Sequence, residues 1–324
     1  MEKISRRAFL GRSLFAGASA AAILATPGRA VAASAETAVG TFIDLTKCEG
    51  CGECVTACRV KNESRYPNPV DDIPANWPSG TFEDWRAERE ATDKLTPYNW
   101  TYVEKVEVDG VSLSIPRRCM HCDNPPCANL CPFSVMDKTP EGAVTINPDG
   151  CMGGAKCRSV CSWNIPQRQA GTGLYMKIAP GLIGGGVMYK CDMCADLIAE
   201  GEQPACVSAC PNGAVIFGPK EQMRDAAQTR ATQIGGHLYG ATENGGTSTF
   251  YVSPVPFEAI DAAIAERRET LPEKVRSGVP GMKPSAENYL DTVNGMALGY
   301  AIAPVAGVAA AAFAAVKAMK GDAE

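Results

Sequence analysis

Apolar and polar residues alternate most regularly in "YVEKVEV" and "VSLSI", residues 102–108 and 111–115, on either side of Asp109 and Gly110. An Asp-Gly link between two alternating runs predicts a β-hairpin. Two shorter β-branched runs, "GAVTIN" (142–147) and "GAVIFG" (213–218), are bounded by proline and glycine and predict strands. "STFYVS" (248–253) predicts another strand, and "PKEQMRDAAQTRATQ" (219–233) a helix with proline near its first turn. The elements are short and mixed, which predicts an α+β fold.

The two ends break this pattern. "SRRAFLG" (5–11) has the form of a twin-arginine export signal, followed by a weakly apolar run over 13–26 and small-residue cleavage sites in "AVAASA". Residues 1–35 therefore read as a signal peptide. Near the other end, residues 296–316 carry no charge, and as a helix they would span about 31 Å, the thickness of a bilayer's hydrocarbon core. Ten of those 21 residues are alanine, with Leu298, Ile302, Val305, Val308, Phe313 and Val316 supplying the hydrophobicity. A transmembrane anchor over 293–319 is expected. Lys317 and Lys320 then place the tail in the cytoplasm by the positive-inside rule. The expected location is the periplasmic side of the bacterial inner membrane.

Hydrophobic content of 45% and charge of 21% are ordinary for a globular chain of 324 residues. The net charge is −5, and removing residues 1–32 takes away five basic groups and one acidic group, leaving −9. Nothing in that balance points to nucleic acid. Fifteen cysteines against two histidines change the picture: any metal chemistry here runs on sulfur. An exported protein so rich in cysteine is usually a disulfide scaffold. An odd count and close C-x2-C spacing fit that poorly.

The cysteines fall in four blocks: Cys48, Cys51, Cys54 and Cys58; Cys119, Cys122, Cys127 and Cys131; Cys151, Cys157 and Cys161; Cys191, Cys194, Cys206 and Cys210. Three cysteines two residues apart and a fourth three further on form the ferredoxin run, whose last cysteine serves a neighbouring cluster. Gly50 and Gly52 let the first loop approach a cluster closely. Proline follows the last cysteine of the second and fourth blocks, whereas Arg59 follows that of the first. Zinc knuckles also use C-x2-C pairs, but they want pairs of pairs rather than quartets. Four clusters need sixteen thiolates and the chain offers fifteen; the missing one falls at Gly154 in "CMGGAKCRSVC". That vacancy predicts either a 3Fe–4S cluster or a 4Fe–4S cluster with an open iron corner. His121 lies inside "CMHC", where tuning or packing beside a cluster is expected. Residues 59–118 form an insertion with Trp77, Trp85 and Trp100, a small core or a partner surface.

With these blocks the chain resembles the four-cluster ferredoxin-like subunits of membrane-bound redox complexes, over roughly residues 41–218. The likeness extends to hydrogenase-2-type electron-transfer subunits, which share the twin-arginine leader, the "CMHC" and "GAVIFG" segments, a "HLYG" stretch and a C-terminal helix. It departs from them at Gly154, a ligand that nitrate reductase β-subunits and some menaquinone reductase subunits also lack.

The resemblance implies two pseudo-twofold ferredoxin-like units over 41–218, a C-terminal extension over 219–292, and the anchor. It implies three 4Fe–4S clusters, held by Cys48, Cys51, Cys54 and Cys210; by Cys191, Cys194, Cys206 and Cys58; and by Cys119, Cys122, Cys127 and Cys161. Cys151, Cys157 and Cys131 are left for a 3Fe–4S cluster. The implied role is electron relay between a periplasmic catalytic subunit, a hydrogenase first, and a quinone-reactive membrane subunit. A molybdopterin oxidoreductase or menaquinone reductase complex is the alternative, and no catalytic site is expected on this chain. An enzyme using the open corner as a Lewis acid is the competing class.

Overall fold

The computed structural model describes residues 37–77, 79–181 and 185–298. The expected signal peptide lies outside them, as does most of the expected anchor; residues 293–298 are helical. No helix among the described residues is long and apolar enough to cross a membrane.

The strands in chain order are β1 (Val39–Asp44), β2 (Tyr102–Val108), β3 (Val111–Arg117), β4 (Met136–Lys138), β5 (Val144–Ile146), β6 (Gln167–Gln169), β7 (Val187–Tyr189), β8 (Val215–Pro219), β9 (His237–Tyr239) and β10 (Thr249–Ser253). Three longer helices accompany them, α1 (Glu53–Asn62), α2 (Lys220–Ile234) and α3 (Phe257–Thr270). The predicted hairpin forms as β2 and β3, with Asp109 at φ 51° and Gly110 at φ 78°. Two consecutive left-handed residues make the turn that suits the strands' twist. Pro219 caps α2, where its missing N–H costs nothing.

β8, β1, β10 and β9 form one sheet in that order, with β1 and β10 parallel and both outer pairs antiparallel. Phe42 pairs with Phe250 across the ladder, and with Val252 they meet Ala227 and Ala231 of α2. Alternation sends the next pair, Ile43 and Tyr251, to the opposite face and into the main core, which also holds most of the cysteines. The residues beyond 218 therefore do not fold apart: β9, β10 and α2 complete the sheet that β1 begins just before the first cysteine block.

The insertion splits. Trp85 and Trp100 are buried, Trp100 within the main core, whereas Trp77 is 72% exposed. The strands β4 to β7 are only three residues each and pair as two hairpins around the second and third blocks.

Candidate metal centres

Each cysteine block opens with a tight loop. The residue before the second cysteine position is left-handed every time: Gly50 (φ 73°), His121 (φ 50°), Gly153 (φ 65°) and Met193 (φ 61°). The positions that follow are Cys51, Cys122, Gly154 and Cys194. The backbone of the gapped block thus keeps the turn of its three neighbours, and Gly154 occupies the place of a ligand. A Cβ built there would meet nothing within 4 Å, whereas one at Gly153 would strike the Gly186 carbonyl at 2.2 Å.

These turns aim backbone N–H groups at sulfur, as a loop around an anion does. Met193 N–H donates to Cys191 Sγ at 3.4 Å, and Gly50 and Gly153 donate to Cys48 and Cys151. From α1, the Asn62 amide donates to Cys58 Sγ at 3.6 Å.

The fold brings the cysteines into four groups. Cys48, Cys51 and Cys54 share a small cavity with Cys210. Cys191, Cys194 and Cys206 line another with Cys58 from α1. Cys119, Cys122 and Cys127 lie within electrostatic reach of Cys161. Cys151 and Cys157 share a third cavity with Cys131 and Gly154. That last cavity measures about 50 Å³, against about 20 and 10 Å³ for the other two. The groups adjoin in a line, through Cys54 and Cys206, then Cys191 and Cys119, then Cys157 and Cys161. Cys51 is exposed at one end and Cys131 half-buried at the other, while the thiols between them are mostly buried.

None of the fifteen cysteines forms a disulfide. Burial pushes Cys54, Cys157 and Cys194 up to about 12, and Cys161 and Cys191 up to about 11. Without a metal these thiols stay protonated at neutral pH, so binding one displaces protons. Among the described residues no three His, Cys, Asp or Glu side chains are close enough to hold a single metal ion. Thiols spread around a cavity fit a multi-iron cluster, whereas zinc draws its sulfurs to within about 2.3 Å of one point. The donor set and its spacing therefore fit iron–sulfur clusters.

Three basic residues lie among the inner groups. His121 is buried; its Nδ1 accepts the Val144 N–H at 2.9 Å and its Nε2 stands 3.6 Å from Cys191 Sγ. Arg118 and Lys190, which the motif reading passed over, are buried as well. Each immediately precedes the first cysteine of its block, as Lys47 does in the first. That repetition was the available signal.

Fold and site together define a ferredoxin-like protein with four cysteine centres. Two family profiles match it, each described as a 4Fe-4S dicluster domain, over residues 47–135 and over 111–180 with 183–220. The chain is similar to a protein of Nitratidesulfovibrio vulgaris, at 34% identity over 79% of this chain and 66% of that one. It is also similar to the hydrogenase-2 operon protein HybA of Escherichia coli O157:H7, 29% identical over 69% and 72%. The formate dehydrogenase-O iron-sulfur subunit of Escherichia coli K12 is 30% identical over 66% of each chain. The chain belongs to the ferredoxin-like 4Fe–4S dicluster family of electron-transfer subunits. It spans about two thirds of the length of these relatives.

Proposed function

We propose that this chain is the electron-relay subunit of a membrane-bound oxidoreductase complex. It stands at the periplasmic face, between a catalytic subunit and a quinone-reactive membrane subunit. The observation that carries the reading is the line of four thiol groups, reaching the surface at both ends and buried between them. Bound clusters supply one-electron carriers at those thiolates. The first three groups offer four thiols each and suit 4Fe–4S; Cys131, Cys151 and Cys157 offer three and suit 3Fe–4S.

The walls at the vacancy favour relay over substrate chemistry. Val135, Met136, Ile146, Met152 and Met188 surround it, and among the described residues Lys156 is the one ionisable non-cysteine side chain on the lining. Among the described residues the lining holds no carboxylate or imidazole to act as acid or base.

The twin-arginine leader supports export after cluster loading, and the apolar run over 296–316 supports the anchor. HybA favours a hydrogenase as the catalytic partner. The formate dehydrogenase-O relative, at 30% identity against 29% for HybA, supports a molybdopterin enzyme as the second reading. Purification from solubilised membranes tests both. The expected product is brown, carries about 15 irons with an oxidised-state 3Fe–4S resonance, and brings its catalytic partner with it. A colourless zinc protein, or one found free of membranes and partners, would overturn the proposal.

A further inference from the structure

Arg118 is 2% exposed and forms no ion pair with a carboxylate among the described residues. The acid beside the second thiol group, Asp192, is engaged by Arg65 at 2.5 Å. Arg118 Nη2 donates to Thr41 Oγ1 at 2.5 Å and the guanidinium also donates to the Cys191 thiol. Its Nη1 is buried and has no partner. The same side chain lines the cavity ringed by Cys58, Cys191, Cys194 and Cys206.

Arginine remains charged in proteins, and a buried charge needs a counter-ion. Among the described residues no carboxylate pairs with it, and the cavity its side chain lines is ringed by four thiols. Lys190 is less free: its Nζ donates to the carbonyls of Val144 and Cys191. Lys47, the equivalent basic residue of the first block, is exposed and lies in water.

Taking those four thiols to hold a 4Fe–4S cluster, as proposed above, we infer that Arg118 is that cluster's built-in counter-ion and holds its reduction potential up. Reduction adds one electron to an already negative group. A fixed cation with a donor N–H facing that group stabilises the reduced form more than the oxidised one. Arg118 is thus a positioning and tuning residue, setting the level of one inner step of the relay.

The test is an electron paramagnetic resonance redox titration of the full holoprotein in its complex, for wild type, Arg118→Met, Arg118→Lys and Lys47→Met. One 4Fe–4S midpoint falls in Arg118→Met, with at least a tenfold fall in the reduced-to-oxidised ratio at fixed potential, or about 59 mV for one electron. Arg118→Lys, which keeps the charge but loses the fork, falls by less. Lys47→Met moves nothing, because water screens an exposed charge. Should Arg118→Met lose iron, Arg118→Lys decides, by a smaller fall of the same midpoint with full iron. Midpoints unchanged with full iron overturn the inference. A wild-type protein lacking the expected 4Fe–4S signals would instead overturn the cluster assignment beneath it.

Discussion

His121 accepts the backbone N–H of Val144 on Nδ1 at 2.9 Å, and that one bond sets its chemistry. A nitrogen that accepts carries no proton, so the neutral ring holds its hydrogen on Nε2, which faces Cys191 Sγ at 3.6 Å. The residue sits in the loop of the second block and reaches a thiol of the fourth. It ties together two cysteine groups that lie far apart in sequence.

The left-handed backbone at His121 suits asparagine, whose side-chain oxygen can take over the Val144 bond. His121→Asn is therefore expected to fold with a loss under about 1 kcal/mol while removing the contact with Cys191. His121→Val leaves a buried donor unpaired and puts a β-branched residue at positive φ. That costs about 3 kcal/mol or more. Thermal unfolding of both variants, followed at the cluster's visible absorbance, checks the ordering; equal stability would show that the Val144 bond carries no weight.

Gly153 and Gly154 are adjacent in sequence and opposite in tolerance. Gly153→Ala drives a methyl into the Gly186 backbone and should abolish assembly of the third block. Gly154→Ala has open space and should be silent. Gly154→Cys then places a thiol at the position held by Cys51, Cys122 and Cys194 in the other loops. It is expected to raise the iron content by one and remove the 3Fe–4S resonance without changing the melting temperature by more than a few degrees. Persistence of that resonance in a fully folded Gly154→Cys protein would contradict the assignment of the gap.

Much of this was legible in the sequence, for a physical reason. Cysteine spacing is local, so the four blocks and the vacancy at Gly154 could be read directly, as could the Asp109-Gly110 turn. Non-local pairing was harder. That β10 lies beside β1 depends on matching Phe42 with Phe250, over 200 residues away, and no local period announces it. The three-residue strands β4, β6, β7 and β9 are too short to show alternation at all. The repeated position of Arg118 and Lys190 was visible but their burial was not: basic residues are usually solvated, and only the packing around them shows that these two are buried.

Glu83 draws the insertion onto the third block. Its carboxylate accepts from Arg158 at 2.6 and 2.8 Å and from Arg168 at 2.7 Å. Burial alone would raise its pKa, but the bonds and charge of Arg158, joined by Arg168, outweigh it and hold the carboxyl below its ordinary value of 4.5. The unfolded chain then binds the proton more readily, so stability rises with pH across that window. The contribution is whole above about pH 4.5 and is lost as pH falls through the lower folded value. Glu83→Gln should cost about 2 kcal/mol at pH 7. The gap between the two melting temperatures should stay constant from pH 8 to 5.5 and narrow only in stronger acid. A gap that changed near neutrality would point to another group.

The last expectation concerns how α3 holds the hairpin. Glu104 of β2 is fully buried, accepts the Tyr102 hydroxyl at 2.7 Å and pairs with Arg267. Arg267 comes from α3, beyond all four blocks, and its side chain is 31% exposed. Arg267→Met strands a buried carboxylate and should cost about 3 kcal/mol. Glu104→Gln leaves the arginine partly in water and should cost less, about 1 kcal/mol. The double variant removes the stranded charge and should recover about 1 to 2 kcal/mol of the summed losses. If the single losses simply add, the pair does not couple the extension to the hairpin. If they couple as expected, residues beyond 218 and the insertion are one cooperative unit. Truncation after 218 should then collapse the hairpin as well as the sheet.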